Sequence, residues 1–233
     1  MKLAGKIRFK VTDRDGNLIL EREQPSRSFL LHFIELLYVY HGQIDRVMDD
    51  VGGTTRTVKY TMDASARYSK PNLSVMAPPS HGLPVLVVGH DTFRHWQHIS
   101  DDNFGKDFGI VVGTGAGAPT PQDNALAQKI LHGRGTGQLE YGGSEVLEPA
   151  FSDPNAEMLL RRYFTNRSGA TITITECGAY AIGADYYTTA DTGPIYRSDK
   201  AWPFCIIRDL VTPNIDVLTT EILEVTYLIQ TTV

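Results

Sequence analysis

The second half of the chain consists of alternating apolar runs joined by short polar turns, and this pattern restricts the fold most. "RRYFTNRSGATITITECGAYA" (161–181) places Tyr163 before a polar "NRSGA" turn, then alternates Ile172 and Ile174 with threonine. "AWPFCIIRDLVTPNIDV" (201–217) and "EILEVTYLIQTTV" (221–233) follow. In the last, Leu223, Val225, Tyr227 and Ile229 alternate with Glu224, Thr226, Leu228 and Gln230. A period of two puts successive side chains on opposite faces of a strand. Strands joined without helices between them imply antiparallel pairing in a sandwich or barrel. The expected fold class is mainly β: an antiparallel β-sandwich-like fold in a single domain, 1–233.

"KIRFKVTDRDGNLILERE" gives the clearest local signal. Ile7, Phe9 and Val11 alternate with polar residues before the turn, as do Leu18 and Leu20 after it, and Asp15-Gly16 offers the positive-φ pair of a tight hairpin. Asp13, Asp15 and Asn17 imitate the start of a calcium loop. The match then fails, because Leu18 stands where the loop needs glycine and Gln24 where it needs glutamate.

One long helix is expected, over residues 26–41 in "PSRSFLLHFIELLYVYHG". Ser26 or Ser28 would cap it and Gly42 would end it. Phe29, Phe33, Leu36 or Leu37, and Tyr40 follow helical spacing, and Phe29, Phe33, Leu37 and Tyr40 are the candidate interface residues, buried against the sheet or a neighbouring subunit. Leu30 and Ile34 widen that stripe.

Residues 43–108 read as an insertion-like region. It holds a second hairpin around Gly52-Gly53, a loop in "SKPNLSVMAPPSHGLP" and a short buried strand in "LPVLVVG". His90, His95 and His98 lie in its last part without an HExxH-like pattern, so no metal is expected.

"GIVVGTGAGAPTPQDNALAQKI" (109–130) looks like a dinucleotide-binding turn. Gly113, Gly115 and Ala118 fit the relaxed pattern, but Pro119 and Pro121 move any helix start past the glycines. No acidic residue stands at the expected distance, and no lysine completes a phosphate loop. The expectation is a short helix near 121–131, capped by Thr120 and Asp123, with glycines 113, 115 and 117 serving shape and no cofactor bound. Ser144 in "GGSEV" lacks the last glycine of a nucleophile elbow. Glu140, Glu145 and Glu148 read as a solvated acidic loop. No catalytic residue is assigned, and the chain is read as non-enzymatic.

A net charge of -5 and the lack of a dense Lys/Arg run argue against nucleic acid as a partner. "MKLAGKIRFKVTDRDG" turns charged before an apolar region forms, so neither a signal peptide nor a membrane span is expected, and no membrane partner. Cys177 and Cys205, both in apolar strand-like runs, are expected to be buried and reduced, as in a cytosol.

The ordered set of segments resembles virion-associated proteins of tailed bacteriophages. Those segments are the N-terminal hairpin, "PSRSFLLHFIELLY", "GIVVGTGAGAPTPQDNALAQKILHGRGTGQLEYG", "RRYFTNRSGATITITECGAY", "CIIRDLV" and "EILEVTYLIQTTV". The resemblance spans residues 5–42 and 109–233. It implies a β-rich structural subunit of the tail, neck or capsid, made in the bacterial host cytoplasm. Its partners would be copies of itself and other virion structural proteins. The alternative is a carbohydrate- or receptor-binding module for a host surface glycan, with Trp96, Trp202, Tyr186 and Tyr187 as stacking faces.

Overall fold

A computed structural model describes residues 2–42, 44–62, 71–76, 83–87, 107–152, 154–184 and 201–232. The fold is mainly β, with antiparallel sheets and, among the described residues, a single helix. The first sheet contains β1 (Lys2–Thr12), β2 (Leu18–Ser26), β8 (Glu140–Val146), β9 (Ala150–Ser152), β10 (Asn155–Thr165) and β13 (Ile222–Thr232). Its order is β2-β1-β13-β10-β8, with β9 beside the start of β10. The second contains β6 (Leu83–Val87), β7 (Gly109–Gly113), β11 (Ile172–Ala184) and β12 (Ala201–Val217), with β11 central. A third sheet, β3 (Arg46–Asp49), β4 (Thr55–Met62) and β5 (Pro71–Met76), lies beside α1 (Leu31–Gly42).

The inward residues of the first sheet are those the alternation selects. Ile7, Phe9, Val11, Leu160, Phe164, Leu223, Val225 and Tyr227 are buried in one core with Ile174, Cys177, Ala179 and Ile215 of the second sheet. The opposite face of the first sheet is a ladder of ion pairs: Lys6 and Arg8 with Glu23, Lys10 with Glu21, and Arg161 with Glu145. Arg162 points inward between the rings of Tyr141 and Phe164 and donates to the carbonyls of Gly142, Phe108 and Ile110. The Phe108 and Ile110 carbonyls tie β10 to the β7 end of the second sheet, while Gly142 belongs to the neighbouring β8.

The N-terminal hairpin forms as expected, but its turn differs. Only Gly16 has positive φ (86°). Asp13 Oδ1 accepts from the backbone N–H of Asp15 and Asn17, giving a five-residue loop closed by one left-handed glycine. The Gly52-Gly53 hairpin also forms, with Gly53 at φ 75° and Asp50 Oδ1 accepting from Gly52 and Thr54. The "LPVLVVG" strand is β6, paired with β11.

Four expectations are corrected. The helix starts at Leu31, not 26: Ser26 ends β2, and residues 28–30 run extended along β12, with Arg208 N donating to Ser28 O and Leu30 N to Ile206 O. Partners on a sheet edge outcompete the local caps there. No helix forms at 121–131 because its amides are taken by the sheet beneath: Leu126 N donates to Tyr180 Oη, Ala127 N and Gln128 N to Glu176, and Ile130 N to Val112 O. "SKPNLSVM" contains β5, whose first residue is Pro71, where a missing N–H is tolerated. Glu140 and Glu145 stand on strand β8, with Glu140 paired to Arg134 and Arg167, so they are no free acidic loop.

Candidate functional site

The β11–β12 ladder sets Gly178 opposite Arg208 and Cys177 opposite Asp209. Opposed residues share a face, so the ladder carries two polar clusters, one on each side.

On the outer side, Glu176 is fully buried and its carboxylate accepts four hydrogen bonds. Oε1 takes the N–H of Gly115 (3.1 Å) and Gln128 (2.7 Å); Oε2 takes Ala127 N (3.1 Å) and Arg208 Nε (3.0 Å). Arg208 also reaches Gly117 O (2.9 Å) and the Asp123 carboxylate. Asp123 in turn accepts from Thr120 N (3.0 Å) and Thr120 Oγ1 (2.7 Å), so the expected capping contact exists without a helix. Burial alone would raise the Asp123 carboxyl, but the Thr120 donors and the Arg208 guanidinium outweigh it and hold it below its ordinary range. Burial disfavours the Arg208 cation, yet Asp123 and Glu176 reverse that and raise it.

Four donors fill the lone-pair sites of Glu176, leaving it nothing with which to act as a base. The glycine turn that imitates a phosphate loop therefore holds an anion belonging to its own chain. Gly113 and Gly115 are required by close packing, not by positive φ: a Cβ on either would lie 2.6 or 2.4 Å from Glu176 Oε1. Gly117 faces open space, its nearest neighbour being Arg208 Nη2 at 3.9 Å.

On the inner side, Cys177 Sγ lies 3.2 Å from Tyr227 Oη, which lies 3.5 Å from Asp209 Oδ2. Ser26 Oγ (2.7 Å) and Arg27 N (2.9 Å) donate to the same carboxylate and fasten the crossover between the sheets. Burial pushes the Cys177 and Tyr227 protons far above their ordinary range, so the thiol stays protonated and inert. Cys205 is buried and free as well, and burial raises it likewise. Asp209 borders a cavity of about 350 Å³ that Gln24, Pro25, Arg27, Ser28 and Pro119 help to line.

Burial also raises the Asp209 carboxyl, against the pull of the Arg27, Ser26 and Ser28 donors. A raised acid favours folding most below its unfolded value, and that contribution is lost as pH climbs through the folded value. Asp209→Asn removes the titration. Its stability relative to wild type is expected to improve as pH is taken from about 4, the ordinary aspartate value, to mildly alkaline conditions. Urea unfolding of both proteins at each end of that range checks this; a pH-independent difference contradicts it.

Ser144 is buried opposite Arg162 on an antiparallel strand, and its Oγ has no hydrogen-bond partner among the described residues. No base stands ready to activate it there. Trp202 is buried, with the Arg56 guanidinium 4.5 Å over its ring, so this face is not open for stacking on a sugar. His90, His95, His98, Trp96, Tyr186 and Tyr187 lie outside the described residues. Among the described residues no three His, Cys, Asp or Glu gather to hold a metal, and no helix is long and apolar enough to cross a membrane.

The candidate interface residues divide. Phe29 precedes the helix and bridges Ile207; its ring meets that of Phe33 at 4.8 Å, and both are half-buried against the core. Leu37 faces solvent, while the side chain of Tyr40 lies outside the described part. The buried side of α1 is instead His32, Glu35, Leu36 and Val39. Nearly every helix position is apolar, so spacing alone gave no means of choosing the inward face. Turned to solvent are Leu31 (44% exposed), Ile34 (56%), Leu37 (39%) and Tyr38 (46%), with Ile44 (51%) just past the helix end. Of these five, spacing singles out Leu37 and Ile34 but gives no sign of Leu31, Tyr38 or Ile44. Glu35, the one acid in α1, is bonded to Arg46 at 3.0 Å, and that guanidinium lies 5.7 Å over the Tyr38 ring. Comparison of the chain with family models, curated proteins and solved structures finds no match.

Proposed function

We propose that this protein is a non-enzymatic structural subunit of a tailed-bacteriophage virion, assembling in repeated copies on the tail, neck or capsid. The observation that carries the reading is the exposed apolar side of α1, where Leu31, Ile34, Leu37 and Tyr38 face solvent. Monomeric proteins rarely leave such a continuous stripe in water, and its usual role is contact with another protein. The polar clusters that resemble chemistry support the same reading, because their groups are used in holding loops to sheets: Glu176 is saturated and Cys177 stays protonated. The resemblance of residues 5–42 and 109–233 to virion proteins supplies the particle.

The test is composition. Particles purified from a host carrying the phage genome are expected to contain this chain in many copies, detected by mass spectrometry and located by an antibody in electron micrographs. Purified infectious particles lacking it would reject the reading.

A further inference from the structure

Resting on the assembly reading above, we infer that the solvent-facing stripe of α1 is a two-fold interface with a second copy of this chain. The stripe follows helical spacing: Leu31, Ile34 and Leu37 stand three residues apart, with Tyr38 one turn beyond Ile34. An antiparallel pair of helices related by a two-fold axis through Ile34 sets Ile34 on Ile34 of the second copy and Leu31 on Leu37. Those pairings are apolar on both sides. A two-fold interface must be self-complementary, so charges on it tend to meet their own kind. Leu31, Ile34, Leu37 and Tyr38 carry none, and the one cation beside them, Arg46 over the Tyr38 ring, is paired with Glu35.

A second open surface in the described fold, the β2 edge, fails this test. Strand β2 is the edge of its sheet, and Leu18 and Ile19 are exposed at its start. Pairing two copies of β2 about Arg22 would set that arginine on itself and Glu21 on Glu23, a like-charge arrangement that protects edges from association.

The area also suits a second copy. At roughly 200 Å² for a fully exposed large side chain, Leu31, Ile34, Leu37, Tyr38 and Ile44 together leave roughly 450 Å² in water at their exposures. Two copies would remove roughly 900 Å² of apolar surface, close to the apolar share of a standard interface of about 1,600 Å². Tyr38 is already held by Arg46, so little side-chain freedom is lost on docking.

The experiment uses the full chain. Sedimentation equilibrium in the micromolar range is expected to give twice the chain mass for wild type. Ile34→Asp is expected to weaken association by at least about thirtyfold, the loss typical of a central hot-spot residue, with an unchanged β circular dichroism spectrum. Leu18→Asp is expected to leave the dimer intact. Should Ile34→Asp unfold the chain, Ile34→Cys decides: mild oxidation is expected to join two copies through that position, since Cys177 and Cys205 are both buried, whereas Leu18→Cys stays unlinked. A monomeric wild type, a dimer that survives Ile34→Asp, or a dimeric Ile34→Cys that does not cross-link overturns the inference. A dimer absent from particles would reject the virion reading and leave this one standing; a monomer found in particles would do the reverse.

Discussion

Arg208→Ala is expected to destabilise the fold by about 3–5 kcal/mol, the cost of breaking a buried ion pair by removing one partner. The guanidinium is the only cation bonded to Glu176 among the described residues, and Glu176 has no access to solvent. Without Arg208 the carboxylate keeps three backbone donors but loses its counter-charge, and Asp123 loses the same partner. The loop carbonyl of Gly117 is left without its donor too. Arg208→Lys should recover only part of the loss, because one ammonium cannot span Glu176, Asp123 and Gly117 together. Urea unfolding at neutral pH measures both. A loss under about 1 kcal/mol for Arg208→Ala, within the range of a surface pair, would show that the cluster is not the fastener described.

Gly115→Ala is expected to cost about 2 kcal/mol or more, at or above the usual range for overpacking. The new Cβ would lie 2.4 Å from Glu176 Oε1 and 2.5 Å from Ala127 Cβ. Neither neighbour yields easily, since Glu176 is fixed by four donors and Ala127 by its bond to that carboxylate. Gly117→Ala, with open space around it, should stay within about 0.5 kcal/mol of wild type, as surface substitutions usually do. Two glycines two residues apart in one turn should thus behave oppositely. Because the turn already holds a carboxylate of its own chain, titration calorimetry with ATP, NAD or FAD is expected to give no heat. Equal effects of the two substitutions, or saturable nucleotide binding lost in Gly115→Ala, would contradict this account.

Strand alternation was the most legible part of the fold. Ile7, Phe9 and Val11, then Leu223, Val225 and Tyr227, face one core because a period of two leaves them no other common side. The misses share a cause. Ser26 and Ser28 read locally as helix caps, and Thr120 with Asp123 as a capping pair, yet their neighbours' amides bond instead to β12, Glu176 and Tyr180. Glu176 itself sits in "TITITECGAY" as one polar residue in a strand, and nothing adjacent announces that Arg208 will meet it from the next strand or Gly115 from a loop sixty-one residues earlier. Such pairings are decided by register across the sheet. The exposed side of α1 was half legible: "FLLHFIELLYVY" shows an apolar helix, but its few polar residues, His32 and Glu35, turn inward, so its orientation is set by β12 and not by its own period.

Strand β1 pairs with β13 along its whole length, from Lys2 opposite Thr232 to Thr12 opposite Ile222. These partners come from opposite ends of the sequence, so during synthesis the first hairpin must wait for nearly all of the chain before its inward residues are covered. Ladders of such long range fold slowly, on the order of milliseconds to seconds. Until then Ile7, Phe9 and Val11 form a bare apolar face on a two-stranded ribbon that is marginal alone. The Lys6, Arg8 and Lys10 pairs with Glu21 and Glu23 give that waiting ribbon a charged reverse side and a partner fixed in register. Those charges limit premature sticking between nascent chains. The same ion pairs that add little to the finished fold thus protect the yield of correctly folded chains.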